Sequence, residues 1–216
     1  MKYLFLDLDQ TLITTDIREE EIKKRKELID KQFELGNQFI MAQADLMTRE
    51  IEFMENSERI LLSKYINKET YNLVLKRPGL DEFMKYVSKH LNVSILTKAD
   101  IPYAEEVCHK TGILPYINGI YSTRRPDIKP PNMSEEDREW LLIDDDFYPY
   151  KKYRLLGFEL KDPSKIGDVE EIRKAIEECN NISSNHLIRI KMWSGELNDS
   201  ALDVMKQLVT GYFSIK

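Results

Sequence analysis

Two carboxylates two positions apart, Asp7 and Asp9, close the apolar run YLFLDLD. At the end of a strand, one such acid can serve as nucleophile or ligand while the other turns toward the same cleft. Further along, VSILT ends in Thr97, whose hydroxyl can donate to a phosphate oxygen. Lys129, in DIKPPN, carries a charge able to offset a phosphate and an acidic cluster. WLLIDDD then puts Asp144, Asp145 and Asp146 side by side. Adjacent acids repel one another unless a cation sits among them, and Mg²⁺ is a hard cation that takes oxygen ligands. Each feature alone has an ordinary reading: a strand-ending Thr, a solvated loop lysine, an acidic turn.

The elements that must hold these residues are short apolar runs at 3–9, 93–97, 119–122, 140–144 and 157–160. Helical patterns or loops separate them, which implies a parallel sheet. Leu80, Phe83, Met84, Val87 and Leu91 recur at helical spacing, a second helix is expected over 101–110, and Gly112 is its stop. Residues 16–76 differ in character, with one glycine, no proline and dense mixed charge. Ile22, Ile29 and Phe33, then Leu46, Met47, Ile51, Met54, Leu61, Leu62, Tyr65 and Ile66, mark sparse apolar faces. This predicts a helical cap at 16–76, inserted into a core formed by 1–15 and 77–216, with RPG at 77–79 returning the chain to the sheet. Beyond Asp168, a helix (VEEIRKAIEEC), a strand-like LIRIKMW and a last helix around LDVMKQLV are expected to complete the sheet edge or pack on one face.

Composition bounds the function. The 216 residues suffice for a core without staples. Hydrophobic residues at 42% and charged residues at 32%, with 8 Gly and 8 Pro, argue against disorder and low complexity. A net charge of −6 disfavours a nonspecific nucleic-acid binder. Cys108 and Cys179 lack metal-knuckle or redox spacing, which fits free thiols in a reducing compartment. No apolar run approaches a membrane span or a signal peptide, so a cytoplasmic location is expected.

In order, DLDQTL, the strand ending in Thr97, Lys129 followed by Pro130, and the strand ending in Asp144 and Asp145 resemble the four motifs of the haloacid dehalogenase superfamily of phosphohydrolases. The segment RPGLDEFMKYVSKHLNVSILTKADIPYAEEV is similar to the matching stretch of carboxy-terminal-domain-type and related magnesium-dependent phosphatases. The likeness spans roughly 1–15 and 77–160. It implies an α/β, Rossmann-like parallel sheet with the helical cap after strand one. It further implies Asp7 as nucleophile forming an aspartyl-phosphate and Asp9 as general acid and base that also gives Mg²⁺ its backbone carbonyl. Asp7 and Asp144 or Asp145 would be the side-chain ligands, both of the latter being kept. Thr97 and Lys129 would hold phosphoryl oxygens. Lys98, where relatives carry Ser or Gly, adds a positive charge that contacts substrate or faces solvent.

The expected activity is Mg²⁺-dependent hydrolysis of a small-molecule phosphate monoester such as a nucleotide or sugar phosphate, because a helical lid suits small substrates. A phosphoprotein substrate of the carboxy-terminal-domain type and a noncatalytic, partner-binding role are the alternatives. They separate on turnover of p-nitrophenyl phosphate and on a screen of metabolites against phosphopeptides.

Overall fold

The structure is a computed structural model and describes residues 1–15, 27, 58–61, 71–131, 139–146, 150–157 and 186–215. Five strands form one sheet in the order β6-β5-β1-β7-β8, every neighbouring pair parallel: β1 (Tyr3–Leu6), β5 (Asn92–Thr97), β6 (Ile120–Ser122), β7 (Trp140–Asp144) and β8 (Leu187–Arg189). Strands buried on both faces read as continuous apolar runs, which is why YLFL, VSIL and WLLI carry so little polar alternation.

Burial alternates across the sheet. Leu4, Leu6, Val93, Ile95, Leu141 and Ile143 enter one core cluster, and Phe5, Leu96, Trp140 and Leu142 enter another on the opposite face. The first face is covered by α1 (Leu80–His90), α2 (Ile101–Lys110) and α4 (Ala201–Tyr212), through Leu80, Phe83, Met84 and Val87, Tyr103, Ala104, Val107 and Cys108, and Leu202, Met205 and Val209. The second is covered by α3 (Tyr150–Leu155), with Tyr153, Leu155 and Leu156. α1 begins at Gly79, whose φ of 80° lies in the left-handed region that glycine adopts without Cβ strain. α2 starts after Asp100 with Pro102 in its first turn, a position where the missing N–H costs nothing. Cys108 is buried in the first core cluster, and burial first, then Asp9 and Glu105, pushes its thiol up to about 12. It is inert as a nucleophile.

One expectation needs correcting. Within 16–76 the chain is extended, not helical, at β3 (Glu58–Leu61) and β4 (Tyr71–Lys76), which pair antiparallel. β4 also pairs with β2 (Ile13–Thr14), so 71–76 is tied by main-chain bonds to the segment leaving the sheet. The run YNLVLK is rich in residues that suit a pleated surface, and backbone pairing with β2 decides its conformation over helical patterning. Apart from Glu27, the remainder of the expected cap lies outside the described residues, as do the strand expected over 157–160 beyond Gly157, the helix VEEIRKAIEEC and Cys179. Among the described residues, no helix is long and apolar enough to cross a membrane.

Candidate active site

Register brings the chemistry together. Leu6 is level with Ile95 on one side and Ile143 on the other, so Asp7, Thr97 and Asp144 emerge at the carboxyl ends of three adjacent central strands. Asp7 N donates to Ile143 O at 2.9 Å, carrying the ladder one residue past β1. The chain runs from β1 to β5 and β6 on one side and to β7 and β8 on the other. Where the order reverses, the loops part and leave the crevice in which open α/β sheets bind ligands.

That crevice holds about 500 Å³, lined by Asp7, Asp9, Gln10, Thr97, Lys98, Ala99, Asp144, Asp145, Asp146, Lys152 and Met192. After Asp9 the backbone reverses. Gln10 takes a φ of 64°, Leu12 N and Ile13 N both donate to Leu8 O, and Gln10 N donates to Ile13 O at 2.6 Å. A non-glycine residue there costs about 1–2 kcal/mol. The turn keeps Asp7 and Asp9 in one cleft and sends the chain into β2.

At the floor, Lys152 Nζ donates to Asp7 Oδ1 at 2.6 Å and to Asp144 Oδ2. Its side chain is 1% exposed. Thr11 Oγ1 donates to Asp145 Oδ1 at 2.7 Å and accepts from Asp145 N at 3.1 Å, which fixes the third acid. Asp144 Oδ1 accepts from Asp146 N at 2.8 Å, and Lys98 pairs with Asp146 at the rim. Asp9 is held from the other side, its Oδ1 accepting from Tyr103 Oη at 2.7 Å. Thr97 is buried, and its hydroxyl accepts from Ala99 N at 3.1 Å.

Burial sets the electrostatics. Desolvation raises the Asp7 carboxyl, and Lys152 offsets this only in part. Asp144 moves from 3.8 up to about 6, driven first by burial and then by Asp7. Burial would discharge Lys152, but Asp7 and Asp144 outweigh it and hold the ammonium charged. Carboxylate oxygens of Asp7, Asp144 and Asp145 lie within 4.8 Å of one another. Three acids against one lysine leave a negative, all-oxygen donor set, which fits Mg²⁺.

A stability prediction follows from Asp144. Unfolded, it releases its proton near 3.8, and folded it keeps it to about 6. The stability this proton contributes is therefore complete below about 3.8 and lost as pH rises through about 6, a change of about 3 kcal/mol. In EDTA, Asp144→Asn should be the more stable protein at pH 7, and its advantage over wild type should shrink toward pH 4. Urea melts across that range check it; a gap that ignores pH would contradict the burial argument.

Of the residues expected from sequence, Asp7, Asp9, Thr97, Lys98, Asp144 and Asp145 line one cleft. Lys129 does not: it is exposed in a loop between Ile128 and Pro130 and stands outside the lining. The cation beside Asp7 is Lys152. Sequence reading missed Lys152, Thr11, Tyr103 and Met192. A signal for Lys152 existed in YKKYRLL, because Lys152, Leu155 and Leu156 share helical spacing and one buried face while Lys151 and Arg154 are exposed. Thr11 stood in DLDQTL itself. For Tyr103 and Met192 no local pattern pointed to the cleft.

The family model described as NLI interacting factor-like phosphatase matches residues 2–125. No curated protein matches the chain. Among solved structures, the fission yeast RNA polymerase II CTD phosphatase Fcp1, in a variant form bound to beryllium fluoride, is similar with a TM-score of 0.54 at 13% identity, covering 99% of this chain and 63% of that one. A second structure, of Fcp1 as an essential RNA polymerase II CTD phosphatase, gives 0.53 at 15% identity, covering 99% and 62%. The chain spans less than two thirds of the length of these structures, and at such identities the likeness is one of fold.

Proposed function

Because the chain belongs to the NLI interacting factor-like phosphatase family, we propose that it is a phosphatase of the haloacid dehalogenase type that hydrolyses phosphate monoesters through an aspartyl-phosphate on Asp7. The observation that carries this reading is Asp7 at the cleft floor, one oxygen held by Lys152 and the other 3.5 Å from Thr11 Oγ1. In the first step an Asp7 oxygen bonds to phosphorus, the bond from phosphorus to the leaving oxygen breaks, and Asp9 gives that oxygen its proton. In the second, Asp9 takes a proton from water, the water oxygen bonds to phosphorus, and inorganic phosphate leaves with Asp7 restored. Tyr103 aims the Asp9 carboxyl through its hydrogen bond. Thr97 and Lys98 offer donors toward phosphoryl oxygens from the β5 end of the cleft. Asp7, Asp144 and Asp145, with the Asp9 carbonyl, would hold Mg²⁺, which when bound neutralises charge on the phosphoryl group.

The leaving group is proposed to be a small molecule, recognised by residues of 16–76 that follow β2 in the chain. A phosphoprotein is the second reading, favoured by the likeness to RNA polymerase II CTD phosphatases and by Met192, an apolar side chain 54% exposed on the cleft wall. The test is turnover of p-nitrophenyl phosphate, then a panel of phosphorylated metabolites and phosphopeptides. Activity is expected to vanish in EDTA and return with Mg²⁺. Full turnover in excess chelator would exclude an essential metal, and no turnover of any ester would leave a partner-binding role.

A further inference from the structure

The last segment of the chain lies beyond the 2–125 family match, and sequence reading gave it no chemistry. In space it reaches the catalytic loop at consecutive points. Trp193 N donates to Gln10 O at 2.9 Å, and Ile190 N donates to Asp144 O at 3.1 Å. Arg77, 1% exposed, joins the rest: Nε and Nη2 fork onto the two oxygens of Asp199 at 2.8 and 2.9 Å, Nη2 also donates to Lys191 O at 2.8 Å, and Nη1 donates to Thr11 O at 2.9 Å. Every guanidinium nitrogen has a partner, and the planar fork fixes their relative positions. Thr11 is the residue whose hydroxyl grips Asp145 by both its carboxylate and its amide. A chain of direct contacts therefore runs from Asp199 through Arg77 and Thr11 to an acid of the metal set.

We propose that residues 190–199 are a strap that orients the catalytic loop, with Arg77 as the positioning residue that couples Asp199 to Thr11 and so to Asp145. This rests on the phosphatase reading only for its purpose. A buried ion pair that merely satisfies itself would cost global stability when broken and nothing else. A positioning pair also loosens what it holds, and groups that orient metal ligands typically change metal affinity by about 10–100-fold.

The test uses the full chain and Asp199→Asn, with Arg77→Lys in parallel, since lysine keeps the buried charge but cannot span Asp199, Lys191 and Thr11. Two readouts are taken on protein shown by thermal melting to be folded at the assay temperature. Mn²⁺ affinity by titration should weaken at least about tenfold. Amide exchange in metal-free protein should speed at Asp145, whose N–H donates to Thr11, by a larger factor than at Leu4 to Leu6 in the central strand, where any change reports the loss of global stability alone. A folded variant with wild-type Mn²⁺ affinity and wild-type protection at Asp145 overturns the strap. If Asp199→Asn does not fold, Arg77→Lys decides by the same two criteria. If neither folds, wild-type protein decides: exchange at Asp145 as slow as in the β1 core supports the strap, and exchange as fast as in exposed loops overturns it. Turnover enters neither readout, so failure of the phosphatase reading would show in the ester assay and failure of the strap here.

Discussion

Asp7→Asn is expected to lower kcat on p-nitrophenyl phosphate by at least about 10⁴-fold, the scale on which loss of a nucleophile acts. The amide is nearly isosteric but lacks the anionic oxygen that must bond to phosphorus. Folding should survive, and in EDTA the variant should melt no lower than wild type. The reason is that Asp7 is a buried carboxylate whose charge is opposed by desolvation and by Asp145. Exchanging it for a neutral group removes a penalty while leaving Lys152 its bond to Asp144. Initial rates and a thermal melt on one preparation check both parts. Wild-type kcat in this variant would rule out the covalent route.

The second large effect is expected at Lys152. Lys152→Met keeps the length of the side chain and deletes the charge between two buried acids. Breaking a buried pair by removing one partner costs about 3–5 kcal/mol, so the metal-free variant should melt well below wild type. Because a divalent cation supplies positive charge to the same acids, the rise in melting temperature on adding Mg²⁺ should be larger in the variant. At saturating Mg²⁺, kcat should still fall about 10²–10³-fold, as when a preorganised charge is removed from a reacting centre. Lys129→Met is the control, with a change of about twofold at most, as for other exposed positions. Should Lys129→Met prove the damaging change and Lys152→Met the mild one, the charge assignment made from the site geometry is reversed.

The difference between these lysines shows where sequence reading reaches and where it stops. Asp7, Thr97 and Asp144 were legible because each ends an apolar run, and in a parallel sheet strand ends converge by register. Lys129 was read from motif order, which carries no information on where a loop side chain ends up. Lys152 was harder to see because a buried lysine has the same letter as a solvated one: its helical spacing with Leu155 and Leu156 was the one cue in the sequence, and the packing of α3 under the sheet is what separates it from Lys151. The strap was illegible for a related reason: Arg77 and Asp199 are far apart in sequence, and nothing local marks them as partners. β3 and β4 were misread because ERIL and YNLVLK lie in a stretch whose dense mixed charge reads as solvated helix faces, and short apolar runs such as these do not by themselves separate helix from strand.

The central place of β1 also bears on how the chain reaches its fold. β1 is the earliest of the described strands, yet its two neighbours pair Tyr3 with Asn92 and with Trp140. At about 5–20 residues per second of synthesis, the apolar run YLFL waits for several seconds before either partner exists. The more local pairing of β5 with β6 can form first, but β1 joins the sheet only through contacts of long sequence separation, whose loop-closure entropy must be met before they reward it. Folding should therefore be slow for the chain's size, and the nascent chain should hold an unpaired, aggregation-prone edge during that interval. The arrangement that brings three strand ends to one cleft makes the nucleophile's own strand one that waits for partners far along the chain.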